Sequence, residues 1–254
     1  MTIAAVTGSG SGIGAAVRER LEKDGARVVG VDLRGAEIEA DLSDARGRES
    51  ARTAILAACE GRLDRLVCCA GVGPTVADLR LVPSVNYFGV VEVLDGLREA
   101  LSAGSEAAAV LICSNSAQMA PVDDHPYVQA LLDGDEVRAR ELAAAENGFL
   151  AYAGSKHALS RAVRRRAAGF GRAGVRLNGL APGPIDTPLL RQTLEHPVYG
   201  PGARDLETPL GRNGTPEEMA GLVAFLLGPE SAYVQGSILY ADGGLDASIR
   251  PDRF

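Results

Sequence analysis

The sequence predicts a single α/β domain, a doubly wound parallel sheet with helices on both faces. Three observations carry this. Short apolar or β-branched runs recur along the 254 residues, most of them apolar on both faces, as strands inside a covered sheet must be. Longer stretches between them carry apolar residues at helical spacing. No internal repeat, low-complexity tract or linker divides this alternation, so residues 1–254 read as one domain.

In chain order, strands are expected at Thr2 to Val6, Arg27 to Val31, Leu63 to Cys68, Ala107 to Cys113, Val175 to Leu180 and Ser237 to Tyr240. Ile13, Val17 and Leu21 recur every four residues, and Val90, Leu94, Leu97 and Leu101 stripe the segment after Asn86, as helices lying on a sheet would. Two segments break the rhythm. Residues 118–148 read as an insertion carrying one helix of its own, Val137 to Ala145. Residues 188–209 place Leu189, Leu190, Tyr199 and Leu206 among His196, Pro197, Gly200, Pro201 and Gly202, a mixture suited to a mobile substrate lid.

Composition removes several classes of function. Net charge is -7, with no basic surplus to neutralise nucleic-acid phosphates. No apolar run approaches the 18 residues needed to cross a bilayer. Cys59, Cys68, Cys69 and Cys113 lack CxxC spacing and lie far in sequence from His125, His157 and His196, so neither a metal site nor a disulfide framework is expected. Met1 to Val6 is too short and uncharged for a secretion signal, and a cytoplasmic location is expected.

The first strand runs into Thr7-Gly8-Ser9-Gly10-Ser11-Gly12-Ile13-Gly14 and then a helix. Glycines at 8, 12 and 14 let the backbone turn tightly against a pyrophosphate seated on the unpaired N–H groups of the helix start. In a chain with 31 glycines that spacing arises by chance about 0.5 times, so the context decides: a strand before, a helix after, and an acid ending the next strand. That acid is Asp32, 18 residues beyond Gly14. It can accept hydrogen bonds from the adenosine ribose hydroxyls and would repel a 2′-phosphate, so NAD is expected over NADP. Arg34, two residues on, is outweighed by the like charge at contact distance.

Tyr152 and Lys156 stand four residues apart on one helical face, so an ammonium can sit beside a phenol. A positive charge there favours the ionised form of the phenol, which makes Tyr152 a candidate proton donor and acceptor. The chain has 24 arginines and only two lysines, Lys23 and Lys156, so a lysine at this spacing stands out. A compact ammonium can reach ribose hydroxyls where a guanidinium fork cannot.

The glycine turn, Asp32, Ala70-Gly71, Asn86, Ser114, Tyr152 with Lys156, and Pro182-Gly183-Pro184-Ile185-Asp186-Thr187 together resemble the short-chain dehydrogenase/reductase family over the whole chain. Ala40-Asp41-Leu42-Ser43, Val85-Asn86-Tyr87-Phe88-Gly89, the Leu150 to Lys156 run and the insertion are most similar to its bacterial NAD-dependent 3α-hydroxysteroid dehydrogenases/carbonyl reductases. The resemblance implies a Rossmann fold and a catalytic set of Asn86, Ser114, Tyr152 and Lys156. Ser114 would hydrogen-bond the substrate oxygen, Tyr152 would give or take its proton, Lys156 would bind the nicotinamide ribose, and Asn86 would hold a water linking Lys156 to bulk. Cofactor contacts are implied at Gly8, Ser9, Gly10, Ser11, Gly12, Ile13 and Gly14, at Asp32 and Leu33, and at Asp41 and Leu42 beside the adenine. They continue at Cys69, Ala70, Gly71, Tyr152 and Lys156, then at Pro182, Gly183, Ile185 and Thr187 near the carboxamide and phosphate.

The chain departs from the family in three places. Cys69 stands where Asn is usual, removing an amide that would brace the sheet centre. Ser116 follows Ser114 closely and is a rival for its role. The 38-residue step from Ser114 to Tyr152 far exceeds the usual gap. The resulting reading is an NAD(H)-dependent oxidoreductase acting on a bulky, apolar ketone or secondary alcohol such as a steroid. Its alternatives are a dehydrogenase of terpenoid, aromatic or other apolar alcohols, and a catalytically idle dinucleotide-sensing protein. The insertion, entering just before the Tyr152 helix, would cover its outer face and favour a homodimer over a tetramer.

Overall fold

The computed structural model of the protein describes residues 1–253. Seven strands form one parallel sheet in the order β3-β2-β1-β4-β5-β6-β7: β1 Ile3–Thr7, β2 Arg27–Asp32, β3 Ile38–Glu39, β4 Arg65–Cys68, β5 Ala108–Ile112, β6 Arg176–Pro182 and β7 Ile238–Ala241. The chain reverses its direction of winding between β1 and β4, the switch point where open α/β sheets bind ligands. Alternate residues of each strand feed two cores. Ala4, Val6, Val67, Val110 and Leu180 pack under α1 (Gly12–Lys23) and α11 (Pro216–Leu227). Ala5, Leu66, Leu111 and Leu177 pack under helices on the opposite face. Those helices are α2 (Ala45–Ala58), α4 (Gly89–Gly96), α5 (Arg98–Ser102) and the long α8 (Gly148–Arg172). The six expected strands are present to within a residue or two. β3 escaped notice because a two-residue edge strand has no periodicity to read.

The stripe from Val90 to Leu101 is not one helix. A short helical turn, α3 (Leu81–Pro83), runs through a π-turn at Ser84–Phe88 into α4, and Leu97 interrupts the path before α5. The π-turn contains Asn86, as such bulges often do at functional positions.

Residues 118–148 hold two helices instead of the expected one: α6 (Pro126–Asp133) and α7 (Glu136–Ala144). α6 has a well-marked start and stop. His125 caps it, Pro126 opens it, and Gly134 ends it at φ 78°. Its buried Tyr127 and Val128 lie against α8 at Gly154, where an added Cβ would come within 2.9 Å of the Tyr127 ring. The insertion therefore covers part of the outer face of α8. Its second helix is anchored by a buried guanidinium: Arg48, on α2, donates to Glu92 on α4 (2.7 Å) and to Glu136 on α7 (2.6 Å). Glu136 also accepts from Ser84 at 2.7 Å, which ties the insertion to the π-turn. Beyond β6 come α9 (Pro188–Glu195) and α10 (Gly200–Arg204), and α12 (Leu245–Ile249) follows β7.

Replacing Arg48 with Met keeps much of the volume but leaves the Glu136 carboxylate without its cation. Because this guanidinium is buried while Glu92 is well exposed, a loss of about 2–3 kcal/mol is expected, read as a lower urea midpoint at unchanged slope. An unchanged midpoint would remove Arg48 as the anchor.

Candidate active site

The C-terminal ends of β1, β4, β5 and β6 lie side by side, in register at Thr7, Cys68, Leu111 and Gly179. Above them opens a cavity of about 640 Å³. One end is built by the glycine turn. Gly8 has φ +70°, and an added Cβ would approach the Ala70 backbone to 2.6 Å; a Cβ on Gly14 would lie 2.0 Å from the Gly8 carbonyl oxygen. The turn thus needs both glycines to bring β1, β4 and α1 together. Ser11, the N-cap of α1, makes no side-chain cap, and the first turn carries no acid, so its N–H groups face the cavity unspent. Gly8, Ser11, Gly12 and Ile13 line the cavity; Ser9, Gly10 and Gly14 do not. Ser9 is buried and its hydroxyl reaches the Val31 carbonyl at 3.5 Å. Gly10 gives its N–H to Asp32 Oδ2 at 2.8 Å.

Asp32 is therefore held at the cavity's edge, with Oδ1 accepting from the Leu33 N–H at 2.7 Å. Its remaining lone pairs suit ribose hydroxyls. Arg18, beside Gly30, is already paired with Glu22 and Glu37. Leu33, Asp41 and Leu42 line the same end. Cys69, Ala70 and Gly71 form the floor, where sequence reasoning saw a missing brace. Thr7 supplies one: its Oγ1 accepts from the Cys69 and Ala70 N–H groups at 3.2 and 3.3 Å. Burial pushes the Cys69 thiol up to about 12 despite the nearby Lys156 charge, so it stays a neutral wall of the site.

At the other end Ser114, Ser116, Tyr152 and Lys156 meet around one space. Asn147 caps α8 by accepting from the Leu150 N–H at 2.9 Å, and this fixes where the helix starts and which face bears Tyr152 and Lys156. Lys156 is buried. Its Nζ donates to the Ile112 carbonyl at 2.8 Å and lies 5.9 Å from the centre of the Tyr152 ring. Ser114 caps a short 3₁₀ turn, Asn115–Gln118, by accepting from the Ser116 N–H. Asn86 is fully buried and does not line the cavity. It clasps Val72 from both sides, accepting its N–H at 2.8 Å and donating to its carbonyl at 3.0 Å, and donates to Ser155 at 3.3 Å.

Pro182, Gly183, Ile185 and Thr187 close the back of the cavity. Thr187 is the N-cap of α9, and its hydroxyl already bonds the Ile185 carbonyl and the Leu190 N–H. The outer wall is apolar: Leu189, Leu190 and Leu206, which the sequence singled out, are joined by Pro74, Met119, Phe149 and Val198. Phe149 was legible at three residues before Tyr152, on the same helical face; nothing in the sequence marked Pro74 or Leu245 of α12, which also lines the cavity. Tyr199 accepts the Gly148 N–H at 2.7 Å and stacks on His196, joining residues 188–209 to the start of α8.

A phenol, an ammonium and a hydroxyl gathered at one end of a dinucleotide-shaped cleft define an enzyme that moves a hydride and a proton together, and this protein is such an oxidoreductase. It belongs to the short-chain dehydrogenase family, whose description matches residues 2–130, while residues 136–246 match the related enoyl-(acyl carrier protein) reductase description. The 3-alpha-hydroxysteroid dehydrogenase/carbonyl reductase of Comamonas testosteroni is 47% identical over 257 residues, covering all of both chains. The crystal structure of the 3-alpha-hydroxysteroid dehydrogenase from Pseudomonas sp. B-0831, complexed with NADH, is 50% identical and matches all of both chains with a TM-score of 0.98. The cis-4-hydroxycyclohexanecarboxylate dehydrogenase of Sinomonas cyclohexanicum is 30% identical, with 96% of each chain covered.

Proposed function

We propose that this protein interconverts a bulky, apolar cyclic ketone, steroid-like in size, and its secondary alcohol, using NAD(H). The observation that carries the reading is the pairing of Ser114, Tyr152 and Lys156 with an otherwise apolar wall in one cavity. An apolar face buried there gains about 25 cal/mol per Å², while the polar groups orient one oxygen. The names of the Comamonas and Pseudomonas relatives support a steroid-sized substrate, and the NADH of the Pseudomonas complex supports the same coenzyme. The uncapped start of α1, the glycine cradle and Asp32 fit that group, and the pairing of Arg18 leaves less to attract a 2′-phosphate.

When bound, NADH supplies the hydride that reduces the carbonyl carbon. The chain does the rest. Ser114 donates to the carbonyl oxygen and Tyr152 delivers its proton there. Lys156 holds ribose hydroxyls, and its charge beside the ring steadies the phenolate that remains. The side chain of Asn86 is committed to Val72 and Ser155. Residues 188–209 act as the lid, held against α8 through Tyr199. A location in the cytoplasm accords with four free cysteines, three of them buried.

We also propose a homodimer. α6 already covers α8 at Gly154, whereas the β7 edge, Phe225 and Tyr233 are uncovered. Sedimentation should give twice the chain mass. A tetramer joined through the outer faces of α4 and α8 would contradict this.

Kinetics test each part of this reading. Tyr152→Phe keeps the ring and deletes the transferable proton, so kcat for a cyclic ketone should fall about 10²-fold or more while NADH still binds. Near-normal turnover would refute the role. Wild-type enzyme should show higher kcat/KM with NADH than with NADPH, and Asp32→Ala should narrow the ratio; a wild-type preference for NADPH would overturn the coenzyme reading. Across a ketone panel, faster turnover of short keto acids or sugar phosphates would overturn the substrate class. No turnover of any ketone by a protein that binds NADH would favour the dinucleotide sensor.

A further inference from the structure

Ser114 and Ser116 form a hydroxyl pair inside the cavity, with oxygens 2.8 Å apart and both residues buried. The Ser116 N–H also points at Ser114 Oγ, at 3.2 Å. Among the described residues, neither hydroxyl has a side-chain partner other than its neighbour. Each hydroxyl holds one proton and two acceptor sites. The pair can therefore be ordered in two ways. If Ser114 donates to Ser116, it has no proton left for a ligand. If Ser116 donates to Ser114, both acceptor sites of Ser114 are filled, by the Ser116 N–H and O–H, and its own proton is free to point into the cavity.

We propose that Ser116 is a positioning residue that donates to Ser114 and so aims the Ser114 proton at the substrate oxygen. This rests on the reading of Ser114 as the donor to that oxygen. A carbonyl can only accept, so its arrival selects the second ordering: one hydrogen bond in the free pair becomes a chain of two, Ser116 to Ser114 to substrate. Consecutive donors in such a chain polarise one another in a site sheltered from water. In the reverse reaction the alcohol gives its proton to Tyr152 and its oxygen accepts from Ser114 through the same chain, so no proton is gained or lost by the serines.

The turn that carries the pair is held in place from two sides. Asn115 Nδ2 donates to Asp242 at 3.4 Å, and the His157 ring nitrogen Nδ1 bonds the Ala117 carbonyl at 3.1 Å. Ser116 is thus fixed beside Ser114, with little freedom to swing to another acceptor. The sequence alone left the two serines as rivals for one role; the geometry gives them consecutive roles.

The test is a double-mutant cycle on Ser114→Ala, Ser116→Ala and the double variant, measured as kcat/KM for a cyclic ketone and as the dissociation constant of NADH. A residue that works through Ser114 has nothing to contribute once Ser114 is gone. Ser116→Ala should lower kcat/KM about fivefold to tenfold with NADH binding unchanged. Ser114→Ala should lower it about 10²-fold. The double variant should match Ser114→Ala within about twofold. If the double variant falls below Ser114→Ala by the full factor of Ser116→Ala, the two act independently and the proposal fails. A Ser116→Ala enzyme of normal activity beside a crippled Ser114→Ala overturns the proposal and leaves the Ser114 reading standing. A normal Ser114→Ala enzyme overturns both.

Discussion

Lys156 carries a positive charge into the interior without a carboxylate to meet it. Among the described residues no acid comes within ion-pair distance, and its one hydrogen bond is to the Ile112 carbonyl at the end of β5. An ammonium out of water is costly unless it is hydrogen-bonded, so the fold must deliver that carbonyl to it. This single contact joins the long helix to the C-terminal end of the central strand. The other parts of the site are positioned around it. Asn147 fixes the start of the helix, Ser155 receives Asn86, and Tyr152 follows one turn before Lys156. The donors that Lys156 still has are free for hydroxyl ligands, which is the condition a ribose would meet.

The same end of the sheet explains why the two halves of the cavity match. In a parallel sheet all strands finish on one side, so the glycine turn after β1, the Cys69 to Gly71 floor after β4, the serine turn after β5 and the Pro182 to Thr187 segment after β6 share one rim. Thr7 ties the first two together through its hydroxyl, and Arg48 ties α2, α4 and the insertion behind them. The apolar outer wall comes from segments with no part in the sheet: Met119 lies at the start of the insertion and Phe149 just after its end, and Leu189 to Leu206 lie beyond β6. Chemistry is thus placed on the rigid edge and substrate shape on the connections, as suits a fold that serves many substrates.

Much of this was legible in the residues because it depends on local rules. Glycine spacing, an acid ending a strand, and a Tyr and Lys at i and i+4 are each fixed by backbone geometry within a few residues. What stayed hidden depends on contacts distant in sequence. Nothing at Thr7 says that it accepts from residues 69 and 70, and nothing at Glu136 says that it meets Arg48. The helix Pro126–Asp133 carried its own signals in His125-Pro126 and Gly134, yet it is too short for its stripe of Tyr127, Val128 and Leu131 to stand out. Asn86 was read as a relay residue, while its side chain proves to be spent on Val72 and Ser155, a pairing only the π-turn and the β4 loop together create.

In the proposed reaction a carbonyl carbon and the nicotinamide ring would meet between Ser114, Tyr152 and the apolar wall. The most direct test is isotope transfer: NADH deuterated at the nicotinamide C4 is incubated with the protein and a cyclic ketone, and the alcohol is examined by mass spectrometry. One deuterium on the carbinol carbon is expected. Binding of the labelled coenzyme with no deuterium in any alcohol formed would contradict it.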